Sequence, residues 1–515
     1  MLRRLSFLAV VTLLLAPLQL LAQTDPLAGL DEWIEREMGV WEIPGLAVGV
    51  VRNDSVVYAR GFGVLGLEDP RPVDEHTLFG VASTTKAMTV AALGMLVDEG
   101  RLGWDDRVVD HLPWFALDDP WVTREVRIRD LLTHRVGVGR MTGNRIQYMP
   151  NRPREEIIRR MRFHEPEAPF RHYVYSNVMY SAAGEIIPAV TGQSWDEFLR
   201  ERIFSPLGMA RSNTTVDDIA EGENAAWPHQ EIEGTVVPIP RRNFDNVAAS
   251  AAVNTSVREM AEWMRLQLGD PGVHEGNRLI SEETMREMHR GQMALGGGTL
   301  EASPVAAYGL GWRLDEYEGR RTSSHGGATD GMNTTLVLVP EENLGVVVVT
   351  NTFNNLMGAI ANRVIDAHIG VPEREWGRLF RENYERRYAA AMARREAIEA
   401  ERIPDTNPTH PLERYVGSYA DSLYDTAEVR MGSAGLELRF WEDETQVADL
   451  EHWHHDTFRA HWRNPAQREK FVWFTLGQDG EVDALKVQWT LRPVLLQVGI
   501  YPTDYYRVTR FARVE

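Results

Sequence analysis

The stretch that decides the fold is residues 81–100, which read VASTTKAMTVAALGMLVDEG. Its apolar residues recur at helical spacing until Gly100, so the stretch predicts a helix over 84–99 that the glycine ends. Ser83 and Lys86 are three residues apart, and one helical turn places them on the same face. The pattern therefore predicts a serine hydroxyl at a helix start with a lysine amine beside it.

Lysine is rare in this chain, since only Lys86, Lys470 and Lys486 carry it while 52 of the 55 basic residues are arginine. Arginine cannot lose its proton in a protein, whereas a lysine in apolar surroundings can. Lys86 lies in such a stretch, so it is a candidate base for a Ser83 nucleophile. Lys470 and Lys486 are expected at the surface. A plain N-cap is the structural alternative for Ser83.

Two further segments carry candidate site residues. Tyr175 and Asn177 stand two residues apart, and they offer a proton-relaying hydroxyl and an amide that can bind substrate. His325-Gly326-Gly327-Ala328 has the paired glycines that let a ligand approach the backbone closely. The N–H of Ala328 could then serve with that of Ser83 as an oxyanion hole.

Strand patterns stand at both ends of a region of about 340 residues. Residues 45–64 alternate around an Asn-Asp turn and predict one hairpin, and residues 335–339 with 346–350 predict a second. Helical and loop-rich sequence lies between them. The expected fold class is therefore α+β, in which one antiparallel sheet built from both ends packs against helices and a helical domain.

The chain divides into four predicted segments. Residues 1–22 have the arginines, apolar run and final alanine of a signal peptide, and residues 25–370 form the sheet-and-helix unit. Residues 371–411 are rich in Arg, Glu and Ala and end in a Pro-rich break, which predicts a charged helical linker. Residues 412–515 contain short alternating segments between turns, and they predict a small all-β barrel.

Composition excludes several classes of function. The 515 residues are 43% hydrophobic, which fits a folded protein with a core. The formal charge of −20 argues against nucleic-acid partners. With zero cysteines, thiolate nucleophiles and cysteine zinc sites are excluded. No metal and no cofactor are expected, and the expected partner is a small-molecule or peptide substrate.

The signal peptide predicts a periplasmic or secreted protein that is not stably inserted in a membrane after cleavage. An uncleaved membrane anchor is the alternative, because the apolar run is close to the lower length limit for a membrane span.

The ordered set Ser83-x-x-Lys86, Tyr175-x-Asn177 and His325-x-Gly327 resembles the motifs of the penicillin-recognising serine hydrolases. The chain is most similar to the class C β-lactamase-like branch, which includes D,D-peptidases, D-aminopeptidases and esterases. The resemblance covers about Leu27 to Ile369, so the 25–370 unit is expected to be a serine hydrolase domain. Residues 412–513 resemble the lipocalin-like β domain behind some D-aminopeptidase-type relatives.

This resemblance implies an acyl-enzyme on Ser83, proton transfer by Lys86 and Tyr175, and substrate binding by Asn177, Gly326 and Gly327. It places His325 on the opposite wall, as a possible acid or base. True β-lactamases carry lysine there, and a neutral imidazole anchors a substrate carboxylate poorly. The expected substrate is therefore a D-amino-acid peptide or a small ester. A true β-lactamase and a non-catalytic peptide- or peptidoglycan-binding protein are the alternatives.

Overall fold

The structure is a computed structural model, and it describes residues 25–139, 145–149, 152–232, 234–295, 306–464, 467, 469–489 and 508–514. The predicted signal peptide, residues 1–22, lies outside the described residues.

The helices of the described chain are α1 (Leu30–Trp41), α2 (Thr85–Asp98), α3 (Val108–His111), α4 (Pro120–Glu125), α5 (Ile128–Leu132), α6 (Arg154–Arg159), α7 (Asn177–Thr191), α8 (Trp195–Leu199), α9 (Ala248–Ala251), α10 (Val257–Gln267), α11 (Glu282–Met288), α12 (Leu356–Ile369) and α13 (Trp376–Ala400). A 3₁₀ turn, Ala82–Thr84, leads directly into α2. Within these described segments, no helix has the length and apolar character needed to cross a membrane.

The strands before the linker are β1 (Gly45–Arg52), β2 (Ser55–Gly66), β3 (Asp69–Pro72), β4 (Phe79–Gly80), β5 (His229–Ile232), β6 (Thr235–Pro238), β7 (Asn254–Thr255), β8 (Val273–His274), β9 (Asn277–Arg278), β10 (Met293–Ala294), β11 (Ala307–Tyr308), β12 (Arg313–Tyr317), β13 (Arg320–Thr329), β14 (Met332–Val339) and β15 (Leu344–Thr350). Nine of them form one sheet, in the order β10-β11-β12-β13-β14-β15-β1-β2-β3.

The sheet is built from both ends of its region, as the sequence predicts. β1 pairs antiparallel with β15, so that Leu46 faces Thr350. Both predicted hairpins are present as β1–β2 and β14–β15. The Asn53-Asp54 turn closes the first hairpin, and both of its residues have positive φ angles, which matches the twist of the flanking strands.

Alternation along the central strands gives the sheet two apolar faces. On β15, Val346 and Val348 pack into the core formed with α1 and α12, whereas Val347 and Val349 pack into the core formed with α2 and α10. Because both faces are covered, β15 is buried along its whole length. The sheet therefore supplies a rigid floor for the helix start that carries Ser83.

The C-terminal strands are β16 (Gly417–Asp421), β17 (Asp425–Met431), β18 (Leu436–Phe440), β19 (Val447–His454), β20 (Thr457–Trp462), β21 (Lys470–Leu476), β22 (Val482–Gln488) and β23 (Val508–Val514). They close into an eight-stranded antiparallel barrel, with β23 pairing back to β16. The expected fold class, a sheet flanked by helices followed by a small all-β barrel, is confirmed.

The expectation that Lys470 lies at the surface is wrong. Lys470 is 3% exposed, and it shares the inward parity of Val472 and Phe474 on β21. Its Nζ lies 4.1 Å from the ring centroid of Trp462 and also faces Trp489. Two indole faces stabilise the buried ammonium, and the four-carbon stem packs among aromatic side chains.

The barrel docks on the sheet-and-helix unit through the hairpin that joins β16 and β17. Asp425 Oδ2 accepts hydrogen bonds from Arg152 Nη2 (2.7 Å) and Arg160 Nη2 (2.9 Å). Arg160 also donates to the backbone carbonyl of Ser422 at 3.2 Å. These contacts tie the barrel to Arg152 and to α6.

The boundary between the sheet-and-helix unit and the barrel stays a prediction, and limited proteolysis tests it. Helix α13 is buried at its start, where Trp376 packs, and is largely exposed further on. The first cuts should therefore fall within 371–411 and leave a protease-resistant barrel fragment. Mass spectrometry of the early fragments identifies the cuts, and early cleavage inside 412–515 would contradict the boundary.

Candidate active site

The structure brings Ser83, Lys86 and Tyr175 into one cluster. Ser83 lies in the 3₁₀ turn before α2, and Tyr175 lies in the extended chain before α7. Lys86 Nζ is 3.1 Å from Ser83 Oγ, and the Tyr175 hydroxyl is 2.9 Å from the same oxygen. Two groups able to transfer a proton thus lie within hydrogen-bond reach of the predicted nucleophile.

Lys86 is fully buried, and its amine is held from three directions. Nζ donates to Asn177 Oδ1 and to the carbonyl oxygen of Ser250, each at 2.8 Å. Both of these oxygens are pure acceptors, so Lys86 must turn N–H bonds toward them in either protonation state. In the neutral amine the remaining lone pair then points at Ser83. These contacts fit the predicted role of Lys86 as a base for Ser83, which stays a prediction.

Asn177 is the first residue of α7, and both ends of its amide are engaged. Besides accepting from Lys86, it donates from Nδ2 to Gln147 Oε1 at 3.1 Å. Asn177 therefore links Lys86 to Gln147. Its predicted contact with substrate stays a prediction.

The edge of β13 lies against the turn that carries Ser83. A Cβ on Gly327 would come 2.2 Å from the carbonyl oxygen of Val81, so only glycine allows this approach. Gly326 and Ala328 are exposed on this edge. β12 pairs with β13 only as far as Ser324, so the edge from His325 onward has no β12 partner.

The backbone at Ala82 is strained, with φ at 49°, in the left-handed region that costs a non-glycine residue about 1–2 kcal/mol. The residue is fully buried beside Gly327, and this packing holds the conformation. Strained backbone of this kind is typical of functional sites, and here it directly precedes the candidate nucleophile Ser83. The sequence carries no signal for it, since alanine does not favour positive φ.

His325 belongs to a buried chain of hydrogen bonds. The backbone N–H of Ser176 donates to His134 Nδ1 at 3.1 Å, so a neutral His134 carries its proton on Nε2. That nitrogen lies 3.3 Å from the Tyr308 hydroxyl, which in turn lies 2.9 Å from His325 Nε2. His325 Nδ1 lies 2.7 Å from the carbonyl oxygen of Gly326. Each link has one consistent donor and acceptor when His325 is neutral.

The neutral Nδ1–H tautomer of His325 satisfies this chain of hydrogen bonds. Burial raises the pKa of the Tyr308 hydroxyl well above its ordinary value, so Tyr308 keeps its proton and can donate it to His325 Nε2. His325 Nδ1–H then donates to the carbonyl oxygen of Gly326.

Replacing Tyr308 with phenylalanine should release this tautomer, because His325 Nε2 loses its donor. Long-range ¹H–¹⁵N spectra should show a single Nδ1–H form in the wild type and a mixed or more readily protonated imidazole in the variant. The kcat/KM for a neutral ester should fall by about 10-fold. Spectra unchanged by the substitution would contradict the proposed chain of hydrogen bonds from His134 through Tyr308 to His325. Tyr173→Phe is a matched control, because Tyr173 packs on Tyr308 at a ring distance of 5.9 Å.

Four residues of the cluster were not predicted: Gln147, Ser250, Tyr308 and His134. Ser250 acts through its carbonyl and Gln147 through an interaction with another side chain, and neither leaves a motif in a single sequence. Tyr308 and His134 stand in the stretches YGLGW and LLTH, which by themselves predict no role for either side chain. Among the residues that the structure describes, no cluster of three or more His, Cys, Asp or Glu could hold a metal ion.

Two protein-family models match this chain, one over most of its length. A family model described as "Beta-lactamase" matches residues 30–370 of this chain. A second, described as a domain of unknown function (DUF3471), matches residues 401–498. The first match covers most of the chain and contains every predicted site residue.

Individual proteins are similar to this chain in sequence or in structure. The chain is 26% identical over 459 residues to the protein named unguisins hydrolase ungD of Aspergillus violaceofuscus, which covers 81% of this chain and 79% of that one. The octameric penicillin-binding protein homologue from Pyrococcus abyssi superposes with a TM-score of 0.59 at 21% identity, over 90% of this chain and 98% of that one. The D-stereospecific amidohydrolase from a Streptomyces species gives 0.54 at 20% identity, over 66% and 98%. At these identities the two structures show a shared fold.

Proposed function

This chain belongs to the Beta-lactamase family and is a serine hydrolase, and from that premise we propose that it cleaves amide or ester bonds of D-amino-acid peptides or small esters through an acyl-enzyme on Ser83. In the first step Ser83 Oγ attacks the carbonyl carbon and gives its proton to Lys86 Nζ. The lone pair of that amine faces Ser83, because Asn177 and Ser250 occupy its other directions. The single covalent bond formed is between Oγ and the acyl carbon.

The negative charge that develops on the carbonyl oxygen is stabilised by the N–H groups of Ser83 and Ala328. This assignment is supported by the close packing of Gly327 on Val81, which sets the β13 edge beside the nucleophile. The bond between the acyl carbon and the leaving group then breaks. Tyr175, whose hydroxyl lies 2.9 Å from Ser83 Oγ, gives its proton to the leaving group and is reprotonated with the proton that Lys86 took from Ser83. Water attacks the acyl carbon and gives one proton, through Lys86 or Tyr175, to Ser83 Oγ, so the ester bond to Oγ breaks and the acid is released.

The substrate class rests on one arrangement: both ring nitrogens of His325 have hydrogen-bond partners within the protein, and the neutral imidazole satisfies both. A β-lactamase needs a fixed positive charge on this wall to hold the carboxylate of its substrate, and a neutral imidazole does not supply it. Esters and peptides whose leaving groups carry no carboxylate at that position do not need the charge.

The names of related proteins support the same class. One relative is named as a hydrolase of unguisins, and a neighbour of the same fold is titled a D-stereospecific amidohydrolase. We extend these activities to this chain as a proposal, because the Ser83 cluster offers the chemistry that an amidohydrolase of this fold requires.

A substrate panel tests the proposal. Short p-nitrophenyl esters and D-alanyl or D-leucyl p-nitroanilides should turn over with higher kcat/KM than the chromogenic cephalosporin nitrocefin at pH 7. The L-amino-acid anilides serve as stereochemical controls. Nitrocefin turnover above every ester and D-peptide would establish the β-lactamase alternative. Failure of all substrates, together with no labelling by a fluorophosphonate, would favour the binding-protein alternative.

We also propose that the protein acts outside the cytoplasm, because residues 1–22 have the pattern of a signal peptide. Amino-terminal sequencing of the protein recovered from the periplasm or medium should begin at Gln23. A recovered chain that retains Met1 would contradict cleavage.

A further inference from the structure

The backbone at Gln147 is anchored by two side chains from a distant part of the chain. Its carbonyl oxygen accepts hydrogen bonds from Arg242 Nη2 at 2.9 Å and from Asn246 Nδ2 at 3.1 Å. The side chain of the same residue accepts from Asn177, which in turn holds Lys86. A change at Arg242 can therefore reach the proposed base through Gln147 and Asn177.

The orientation of the Asn177 amide depends on Gln147. Asn177 Oδ1 accepts from Lys86 Nζ at 2.8 Å, so the NH₂ group of the amide points the other way and needs an acceptor of its own. Gln147 Oε1 is that acceptor, at 3.1 Å. If Gln147 moved, the amide could turn its NH₂ group toward Lys86, and donors would then face each other. The place of Gln147 thus helps to keep the N–H bonds of Lys86 away from Ser83.

Arg242 also reaches the turn that follows the β13 edge. Its Nη1 lies 3.4 Å from Oδ2 of Asp330, which stands between β13 and β14. Asp330 follows Ala328, the proposed oxyanion donor, by two residues. The side chains of this ion pair are only 16% and 20% exposed, so water screens the attraction less than at an open surface. One guanidinium therefore contacts both the backbone behind Asn177 and the turn beyond Ala328.

The shape of guanidinium suits this double contact. Its donors lie in one plane at fixed angles, so Nη1 and Nη2 can hold two acceptors at a set separation. The ring of Phe244 lies 4.5 Å from the guanidinium carbon of Arg242 and supports that plane. A lysine at this position would offer a single ammonium on a flexible stem.

We propose that Arg242 is a positioning residue, which fixes the support of the base and the oxyanion edge of β13 relative to each other. Its effect reaches the reacting atoms through Gln147 and Asn177 on one side and through Asp330 on the other. The inference rests on the proposed function, since it assigns the residue that positions the same chemistry at Ser83.

Hydrolysis of p-nitrophenyl acetate tests this role. Arg242→Gln should lower kcat by about 10- to 100-fold, which is the size of loss that small misplacements cause, and should leave KM nearly unchanged. The same substitution should cost less in a Gln147→Ala protein and less in an Asp330→Asn protein, because one of the two contacts is already lost in each. Losses that are fully additive in both double-mutant cycles would overturn the proposal.

The neighbouring Arg241 provides the matched control. It donates to the backbone carbonyls of Ala225 and Ala226 instead, so Arg241→Gln should leave kcat unchanged. Arg242→Lys is a second variant that keeps the charge if Arg242→Gln fails to fold. It should have a kcat between wild type and Arg242→Gln, because one ammonium cannot reproduce the fork. Full activity of Arg242→Lys would overturn the double contact.

A spectroscopic readout keeps this test separate from the proposed function. The chain has three lysines, namely Lys86, Lys470 and Lys486. Protein labelled with ¹³C at lysine Cε should therefore give three signals, and Lys86→Ala identifies that of Lys86. This signal should move in Arg242→Gln, because the contact of Asn177 with Nζ changes, and it should stay in place in Arg241→Gln.

The lysine signal needs no turnover. If it moves as expected but the wild type hydrolyses no ester or amide, the positioning of Lys86 by Arg242 stands and the proposed function fails. A Lys86 signal that stays unchanged in a folded Arg242→Gln protein, with folding checked by a thermal melt, would overturn the positioning role. An active wild type whose kcat survives Arg242→Gln would also overturn it.

Discussion

Ser83→Ala should abolish hydrolysis and covalent labelling together. The hydroxyl oxygen is the atom on which Lys86 Nζ and the Tyr175 hydroxyl converge, at 3.1 and 2.9 Å. Without it no acyl bond can form, and losses of nucleophiles in serine hydrolases reach about 10⁴–10⁶-fold in kcat. A fluorophosphonate label followed by mass spectrometry should modify the wild type at a single serine.

The control for Ser83 is Ser205→Ala, which removes an exposed serine hydroxyl far along the chain. This variant should label stoichiometrically and retain full turnover. Thermal melts of both variants check the fold, and little change is expected because the Ser83 side chain is only half-buried. Stoichiometric labelling of Ser83→Ala would show that another residue is the nucleophile.

Lys86→Arg should be nearly as damaging, although it preserves the charge. The proposed step requires an amine that accepts the proton of Ser83, and guanidinium cannot lose a proton to become that base. Arginine is also planar and longer, so it cannot place single donors toward both Asn177 Oδ1 and the Ser250 carbonyl. Loss of general-base catalysis alone predicts a fall of about 10²–10⁴-fold in kcat.

The chain offers a matched control in Lys486→Arg, the same substitution at a half-buried residue of the barrel strand β22. It should leave turnover unchanged. Because Lys86 is fully buried, Lys86→Ala is the second variant, and added methylamine should restore part of its activity if an amine base is what is missing. An active Lys86→Arg enzyme, or no amine rescue in a folded Lys86→Ala protein, would contradict the role of Lys86 as base.

Local pattern was enough to predict much of the fold. The two hairpins, the helix after Ser83 and the all-β C-terminal part follow from spacing and turn residues, and all are present. The pairing of β1 with β15 followed from strand patterns at both ends of one region. The register of the sheet and the closure of β23 onto β16 depend on contacts far apart in sequence, which periodicity does not record.

The residues of the site also fall into those that local sequence predicts and those that it does not. Ser83 and Lys86 were predictable because their spacing is one helical turn and lysine is rare in this chain. The chain from His134 through Tyr308 to His325 was not, because its residues come from three segments that meet only in the fold. Lys470 was predicted wrongly for a related reason. A charged residue was expected at the surface, but the indoles that stabilise it inside the barrel lie on other segments of the chain.

The partnership between β1 and β15 also sets an order of events during synthesis. β1 leaves the ribosome about 300 residues before the strand that covers its edge, since Leu46 pairs with Thr350. Until then the nascent chain can form the β1–β2 hairpin but not the centre of the sheet. Pairing across so long a span is slow, because the intervening loop must be closed first. The floor beneath Ser83 is therefore completed only after nearly the whole hydrolase unit has been made.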